Sequence, residues 1–190
     1  MQGQFFPCTL GRRHRRLTFF WIGFLAAVFL PSMAITFVLA LATTRMGEPL
    51  PLTAPIPFIA IIVIISGFLY AVARYAPKAC RIDQDGISVV RRNGKRILIP
   101  AQEILSIEPI SRDCFRGGIR TCGVGGFFGS WGWFWSKQLG GFRAYVTNES
   151  LVLIRTAHQG PFVLSPDARD QFIASAIKTF NLTPTPRGSE

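Results

Sequence analysis

The chain is expected to fold as a membrane α + β protein: a two-helix transmembrane hairpin followed by a small antiparallel β domain and one C-terminal helix. Three observations predict this. Two long stretches carry no charged residue. Beyond residue 78 the apolar runs become short and are separated by glycine-containing turns. Near the end, Phe172, Ile173, Ala176, Ile177 and Phe180 recur at helical spacing and make one apolar stripe.

The composition agrees. Of 190 residues, 49% are hydrophobic and only 16% are charged, which excludes a disordered chain. The net charge is +11, with a sequence pI near 10.6. Such a balance suits nucleic acid or an anionic membrane face, and the placement of the apolar residues decides between them.

Residues 1–16 are basic and contain no acid: Arg12, Arg13, Arg15 and Arg16 precede the first apolar stretch. Residues 17–44 are uncharged, and so are residues 49–73. A helix needs roughly 20 apolar residues to cross ~30 Å of hydrocarbon, so transmembrane helices are expected over 17–44 and 55–75. Pro31 falls near the middle of the first, where a missing backbone donor predicts a kink. A cleaved signal peptide competes for the same residues: basic to Arg16, apolar over 17–30, with Ser32-Met33-Ala34 as its small-residue site. Against it, the apolar run continues to Ala42, as in a retained anchor. Arg74, Lys78 and Arg81 follow the second stretch, while the 45–54 loop carries one Arg and one Glu. By the positive-inside rule both termini are cytoplasmic and that loop is external, in a multi-pass membrane protein.

A cytoplasmic domain is expected over 79–181. Strands are predicted at 79–83, 86–92, 95–100, 104–110, 141–148, 150–156 and 160–164, several of them alternating with period 2. Asp85-Gly86, Asn93-Gly94 and His158-Gln159-Gly160 supply turns. Ser165 is the expected N-cap of the last helix with Pro166 at its first position, and Asn181 and Pro184 stop it. Residues 182–190 are expected to be a disordered tail.

Seven short strands and one amphipathic helix is the arrangement of a pleckstrin-homology-like domain. On Gly126-Phe127-Phe128-Gly129, Trp133-Phe134, Gly140-Gly141-Phe142-Arg143-Ala144-Tyr145-Val146-Thr147, Leu151-Val152-Leu153-Ile154 and Phe162-Val163-Leu164-Ser165-Pro166-Asp167, the chain resembles the bacterial PH-like domain family of small membrane proteins. It departs at Trp131 and Trp135, which crowd extra tryptophan into one segment. The resemblance covers about residues 79–180. It implies an antiparallel seven-stranded barrel capped by the C-terminal helix, and it brings no common catalytic residues.

No catalytic residues, metal ligands or cofactor are expected. His14 and His158 are the only histidines, and no cysteine pair among Cys8, Cys80, Cys114 and Cys122 has zinc-site spacing. Gly123-Val124-Gly125-Gly126-Phe127-Phe128-Gly129 fails the dinucleotide fingerprint at Phe128 and has no strand-to-helix context. No hydrolytic triad or carboxylate pair suggests itself. The chain reads as non-enzymatic.

Two binding elements remain. Arg91, Arg92, Lys95 and Arg96 gather around one turn, as a lipid-headgroup loop or as a solvated basic turn. Residues 117–141 read as a glycine-rich loop holding Phe127, Phe128, Trp131, Trp133, Phe134 and Trp135 beside Lys137. These aromatics suit the membrane interface, a contact with a partner protein, or a core-capping role. The expected partners are therefore the membrane itself, anionic lipids and another membrane protein, with no nucleic acid. The function expected is a binding or scaffolding module held at the cytoplasmic membrane surface. The alternative is an accessory subunit or assembly factor of a larger integral membrane complex, in which small residues such as Ala26, Ser32, Ser66 and Gly67 let helices pack closely.

Overall fold

The computed structural model describes residues 3–45, 56–115, 118–126 and 128–183. Most of the expected external loop and nearly all of the expected tail lie outside the described residues. The chain divides into two compact units: Met1–Arg15 with Val72–Glu190, and Arg16–Ala71.

The first unit is the β domain, and it begins earlier than expected. Gln4–Pro7 forms β1, within the stretch read as a basic N-terminus, and pairs antiparallel with β2 (Pro77–Asp83). Its Phe6 is the reason: the ring is buried and meets Phe172 edge-on at 5.2 Å. Strands β3 (Gly86–Arg91) and β4 (Arg96–Pro100) complete a four-stranded sheet in the order β1-β2-β3-β4. The turns obey their sequence. Gly94 adopts φ +83 between β3 and β4, and the Asn93 side chain accepts a hydrogen bond from the Lys95 N–H.

The second sheet has six strands in the order β5-β9-β10-β8-β7-β6. These are β5 (Ile104–Pro109), β6 (Ile119–Gly125), β7 (Ser130–Ser136), β8 (Gly140–Val146), β9 (Val152–Thr156) and β10 (Phe162–Leu164). The expectation of one seven-stranded antiparallel barrel is therefore corrected. The described residues form ten strands in two sheets, and β10 lies parallel to β8 while antiparallel to β9.

The expected loop at 117–141 is largely the β6–β7 hairpin. Gly123 and Gly132 pair across it, both at φ +129, and a Cβ on either would lie 2.3 Å from a backbone carbonyl oxygen of the facing strand. These glycines allow close strand approach. Read without pairing information, they imitate a loop.

Helix α3 (Arg169–Phe180) ends as expected, with Asn181 in the left-handed region. Its start is corrected. The N-cap position is Ala168, without a side-chain cap, and Ser165 is buried, its Oγ accepting from the Thr147 N–H at 2.7 Å. Asp167 instead ties the N-terminal segment down, accepting from Thr9 N–H at 2.9 Å and from Asn148 Nδ2 at 2.7 Å.

Two apolar clusters lie on the two faces of the six-stranded sheet. One joins that sheet to the four-stranded sheet and α3 through residues such as Phe6, Ile87, Ile99, Tyr145, Ile154, Phe162 and Phe172. The other gathers Phe134, Phe142, Leu151, Leu153 and Val163 with Phe115. Phe142, Phe162 and Phe172 are fully buried, each stabilising the fold by about 1.5–3 kcal/mol relative to exposure.

The second unit carries most of α1 (Arg12–Arg45) and α2 (Ile56–Tyr75). α1 runs through Pro31 as one helix, with the Ser32 hydroxyl donating to the carbonyls of Val28 and Phe29 at 3.1 and 2.9 Å. By length and composition, α1 is the one described helix able to cross a membrane; the apolar stretch of α2, Ile59–Tyr75, is shorter. Partial cover recurs at Leu25, Phe29, Ser32 and Thr36 and at Ile65 and Leu69, a stripe at helical spacing on each helix. Residues from both line an apolar groove of about 240 Å³. Most of the remaining apolar side chains of the two helices are exposed.

Candidate functional site

Strand alternation sorts the aromatic segment. Phe134 directly opposes Phe142, and the rings stack at 5.8 Å with Phe115 edge-on to both. Its position belongs to the core. Trp131, Trp133 and Trp135 point the other way, since successive strand residues alternate between faces. Trp131 is half-buried against the cluster between the two sheets, while Trp133 and Trp135 keep 45% and 42% of their surface. Phe128 is half-buried at φ +52, and Lys137 is exposed in the β7–β8 turn. Phe127 lies outside the described residues. The core reading thus holds for Phe134 and not for the segment as a whole.

The basic turn divides as well. Arg91 turns inward, and its guanidinium carbon lies 5.9 Å from the rings of both Tyr75 and Tyr145. Arg96 is exposed and lines an open groove of about 1000 Å³ between the β1–β2 edge and α3, beside Arg81, Asp83, Asp85 and Lys178. Arg81 and Asp83 pair there at 2.9 Å. Arg92 and Lys95 are exposed at the tip. Among the described residues, Arg91 is the one of the four that lies beside aromatic rings.

The approach passes through β8. Tyr145 directly opposes Trp131, and Arg143 directly opposes Trp133, so all four share one sheet face. The Arg143 guanidinium lies 4.3 Å from the Trp133 ring centre and 5.3 Å from that of Phe162. Such stacking holds a guanidinium in place at modest energetic gain, about 0.5–2 kcal/mol. The result is a band in which Arg91, Tyr145 and Trp131 adjoin Arg143 and Trp133. Arg143, Tyr145 and Tyr75 were absent from the sequence-level candidates. Trp131-x-Trp133-x-Trp135 was the available signal, because period-2 spacing marks a strand face.

Among the described residues, three buried donors in this band have no acceptor: Arg91 Nε, Trp131 Nε1 and Arg143 Nε. The thiols of Cys8 and Cys80 lie in the core 3.5 Å apart. The hydrogen bond with Cys8, and then burial, push the Cys80 thiol well above its ordinary value. This pair is sealed and offers no nucleophile. Among the described residues, no three metal-ligating side chains come together. The chemistry offered at the surface is cationic and aromatic: charge, N–H donors and ring faces.

Neither the curated proteins nor the solved structures contain a significant match to the chain. The bacterial PH domain family matches residues 78–178, from the first residues of β2 to the last turn of α3. That span holds β2 to β10, the basic turn and the aromatic band, leaving β1 outside it, and on it the chain belongs to the bacterial PH domain family.

Proposed function

We propose that the chain is a non-enzymatic, membrane-anchored binding or scaffolding module. In this reading α1 and α2 cross a bacterial cytoplasmic membrane as a hairpin with both termini cytoplasmic. The PH domain contacts anionic lipid or a partner protein through the basic turn (Arg91, Arg92, Lys95, Arg96) and the outward face of the aromatic hairpin.

The observation that carries this reading is a contrast in burial. The two apolar clusters are assembled from domain residues alone. In α1 the most apolar window has none of its residues buried. Each such Leu, Ile or Phe left in water forgoes about 1.5–3 kcal/mol, and lipid is the solvent that restores it. The 20 residues of α2 rise about 30 Å, the thickness of the hydrocarbon. Four residues separate β1 from α1, and Ala76 alone separates α2 from β2, so neither helix is joined to the domain by a long tether.

Reporter fusions test the topology. A fusion after Glu190 is expected to be active only as a cytoplasmic reporter, one in the 46–55 segment only as an external one, and the chain to stay in membranes through alkaline carbonate. An external C-terminus or carbonate release overturns the reading. One feature favours the alternative of an accessory subunit: the apolar groove lined by Ala26, Phe29, Ile62, Ile65 and Ser66, which another helix would fill. A stoichiometric larger partner kept through gentle detergent purification supports that alternative, and an isolated chain supports the first.

A further inference from the structure

β1 lies wholly outside the family match, and α1 and α2 separate it in sequence from its partner β2. As the edge of the four-stranded sheet it pairs with β2 alone. It is held by the Phe6 ring against Phe172 and by the Thr9 N–H donating to Asp167. A further contact is made by sulfur. The Sγ atoms of Cys8 and Cys80 lie 3.5 Å apart, although the two residues are 72 positions apart in the chain.

Strand register sets these thiols side by side. Phe6 opposes Cys80, and the Cys8 N–H donates to the Lys78 carbonyl at 2.9 Å, so Cys8 and Cys80 are diagonal neighbours on one sheet face. A disulfide holds its sulfurs at about 2.05 Å, so the two must approach by roughly 1.5 Å. Cys8 stands just beyond the end of β1, in the segment 8–11 that belongs to no strand or helix, where small dihedral changes supply that movement. Filling the core at this place requires only small side chains. Sulfur facing sulfur across two strands is what a disulfide requires.

We infer that Cys8 and Cys80 form a redox latch, in which an oxidant of the low-molecular-weight disulfide class, such as oxidised glutathione, joins them in a bond that locks β1 onto β2. In the closed domain both thiols are sealed, so the oxidant meets them while β1 is lifted. A four-residue edge strand opens at lower free energy than the strands behind it. One cysteine thiolate then attacks a sulfur of oxidised glutathione and releases the first glutathione thiol. The other attacks the protein sulfur of the mixed disulfide and releases the second. Two protons and two electrons pass from the cysteines to glutathione, and one sulfur–sulfur bond forms as one breaks.

The bond changes what β1 can do. In the reduced form the strand leaves by breaking its own contacts, and its departure uncovers the backbone edge of β2. In the oxidised form it stays, because the disulfide closes a covalent ring that contains both α1 and α2. The latch requires neither membrane anchoring nor a ligand.

The test uses the full chain in a neutral detergent, carrying Cys114→Ser and Cys122→Ser so that the pair alone reacts. The chain is incubated with oxidised glutathione at about pH 8, and peptides are mapped by mass spectrometry without reduction. Amide exchange and thermal melting are followed before and after. Cys8→Ala and Cys80→Ala each remove one sulfur, and circular dichroism verifies their fold.

Oxidation is expected to join the peptides carrying Cys8 and Cys80 within one chain, with a mass loss of about 2 Da. Amide exchange over β1 slows at least about 10-fold and the melting temperature rises by about 3–10 °C, both reversed by dithiothreitol. Neither change occurs in C8A or C80A; where a variant fails to fold, the oxidised and reduced forms of the parent chain decide. Two thiols still free to alkylation after incubation, a bond between chains instead of within one, or a bond that leaves exchange over β1 unchanged overturns the latch.

Discussion

The domain and the helices use the same apolar residue types and treat them in opposite ways. Phe142, Phe162 and Phe172 are sealed among strands and α3, whereas Phe19, Phe24 and Phe37 stand on α1 with half or more of their surface open. In the proposed reading, the difference reflects the solvent each region is built for. A chain designed for water throughout would gather both sets into one core, because each large apolar side chain left exposed forgoes about 1.5–3 kcal/mol.

The sharpest test of that contrast is a pair of equal truncations. Phe172→Ala is expected to destabilise the domain by about 3–5 kcal/mol, as it removes a fully buried ring and the partner of Phe6. Denaturant titration of the detergent-solubilised chain measures it. A loss under 1 kcal/mol would mean that α3 does not close the core.

A second test separates adjoining residues of β7. Phe134→Ala is expected to cost about 3 kcal/mol, and Trp133→Ala under 1 kcal/mol, since only the first ring lies in a closed stack. Equal losses would break the division of this strand into a core face and a surface face. The N-terminal strand gives a smaller effect. Asp167→Ala removes the acceptor for Thr9 and Asn148 and is expected to cost about 1.5–3 kcal/mol, with faster amide exchange over β1 than elsewhere in its sheet.

Alkaline pH supplies a weaker probe. The ordinary value of the Cys80 thiol is 9.0, and in the folded domain it titrates well above that. The unfolded chain therefore loses this proton first as pH rises, so the stabilising contribution is intact below about pH 9 and declines above it. Cys80→Ala is expected to flatten that part of the stability profile, measured by thermal melts across pH 8–10.5. The smallest effect should come from α1: Phe37→Ala is expected to leave domain unfolding within about 0.5 kcal/mol. A larger shift would show that the domain draws stability from that ring.

Local chemistry alone determined much of this protein. The uncharged stretches, the turn at Asn93-Gly94, the stripe of α3 and its stop at Asn181 were legible because each depends on residues a few positions apart. Seven of the ten strands were legible for the same reason, through alternation and turn residues. Three strands were not. β1 is short and gains its place by pairing with β2, about seventy residues away. β6 and β7 are dense in glycine, which signals a loop until the facing strand shows that Gly123 and Gly132 permit close approach.

The candidate site was legible only in halves. Composition singled out a basic turn and an aromatic segment, each a chemically unusual stretch. Tertiary structure decided that Arg91 leaves the turn for Tyr145, that Phe134 joins the core, and that Arg143 shares a face with Trp133. Side-chain periodicity can say which residues share a face of one strand, but cross-strand register depends on pairings between distant segments. Those pairings become favourable only when the two apolar clusters form, and they set Arg143 across from Trp133 on one face of the sheet.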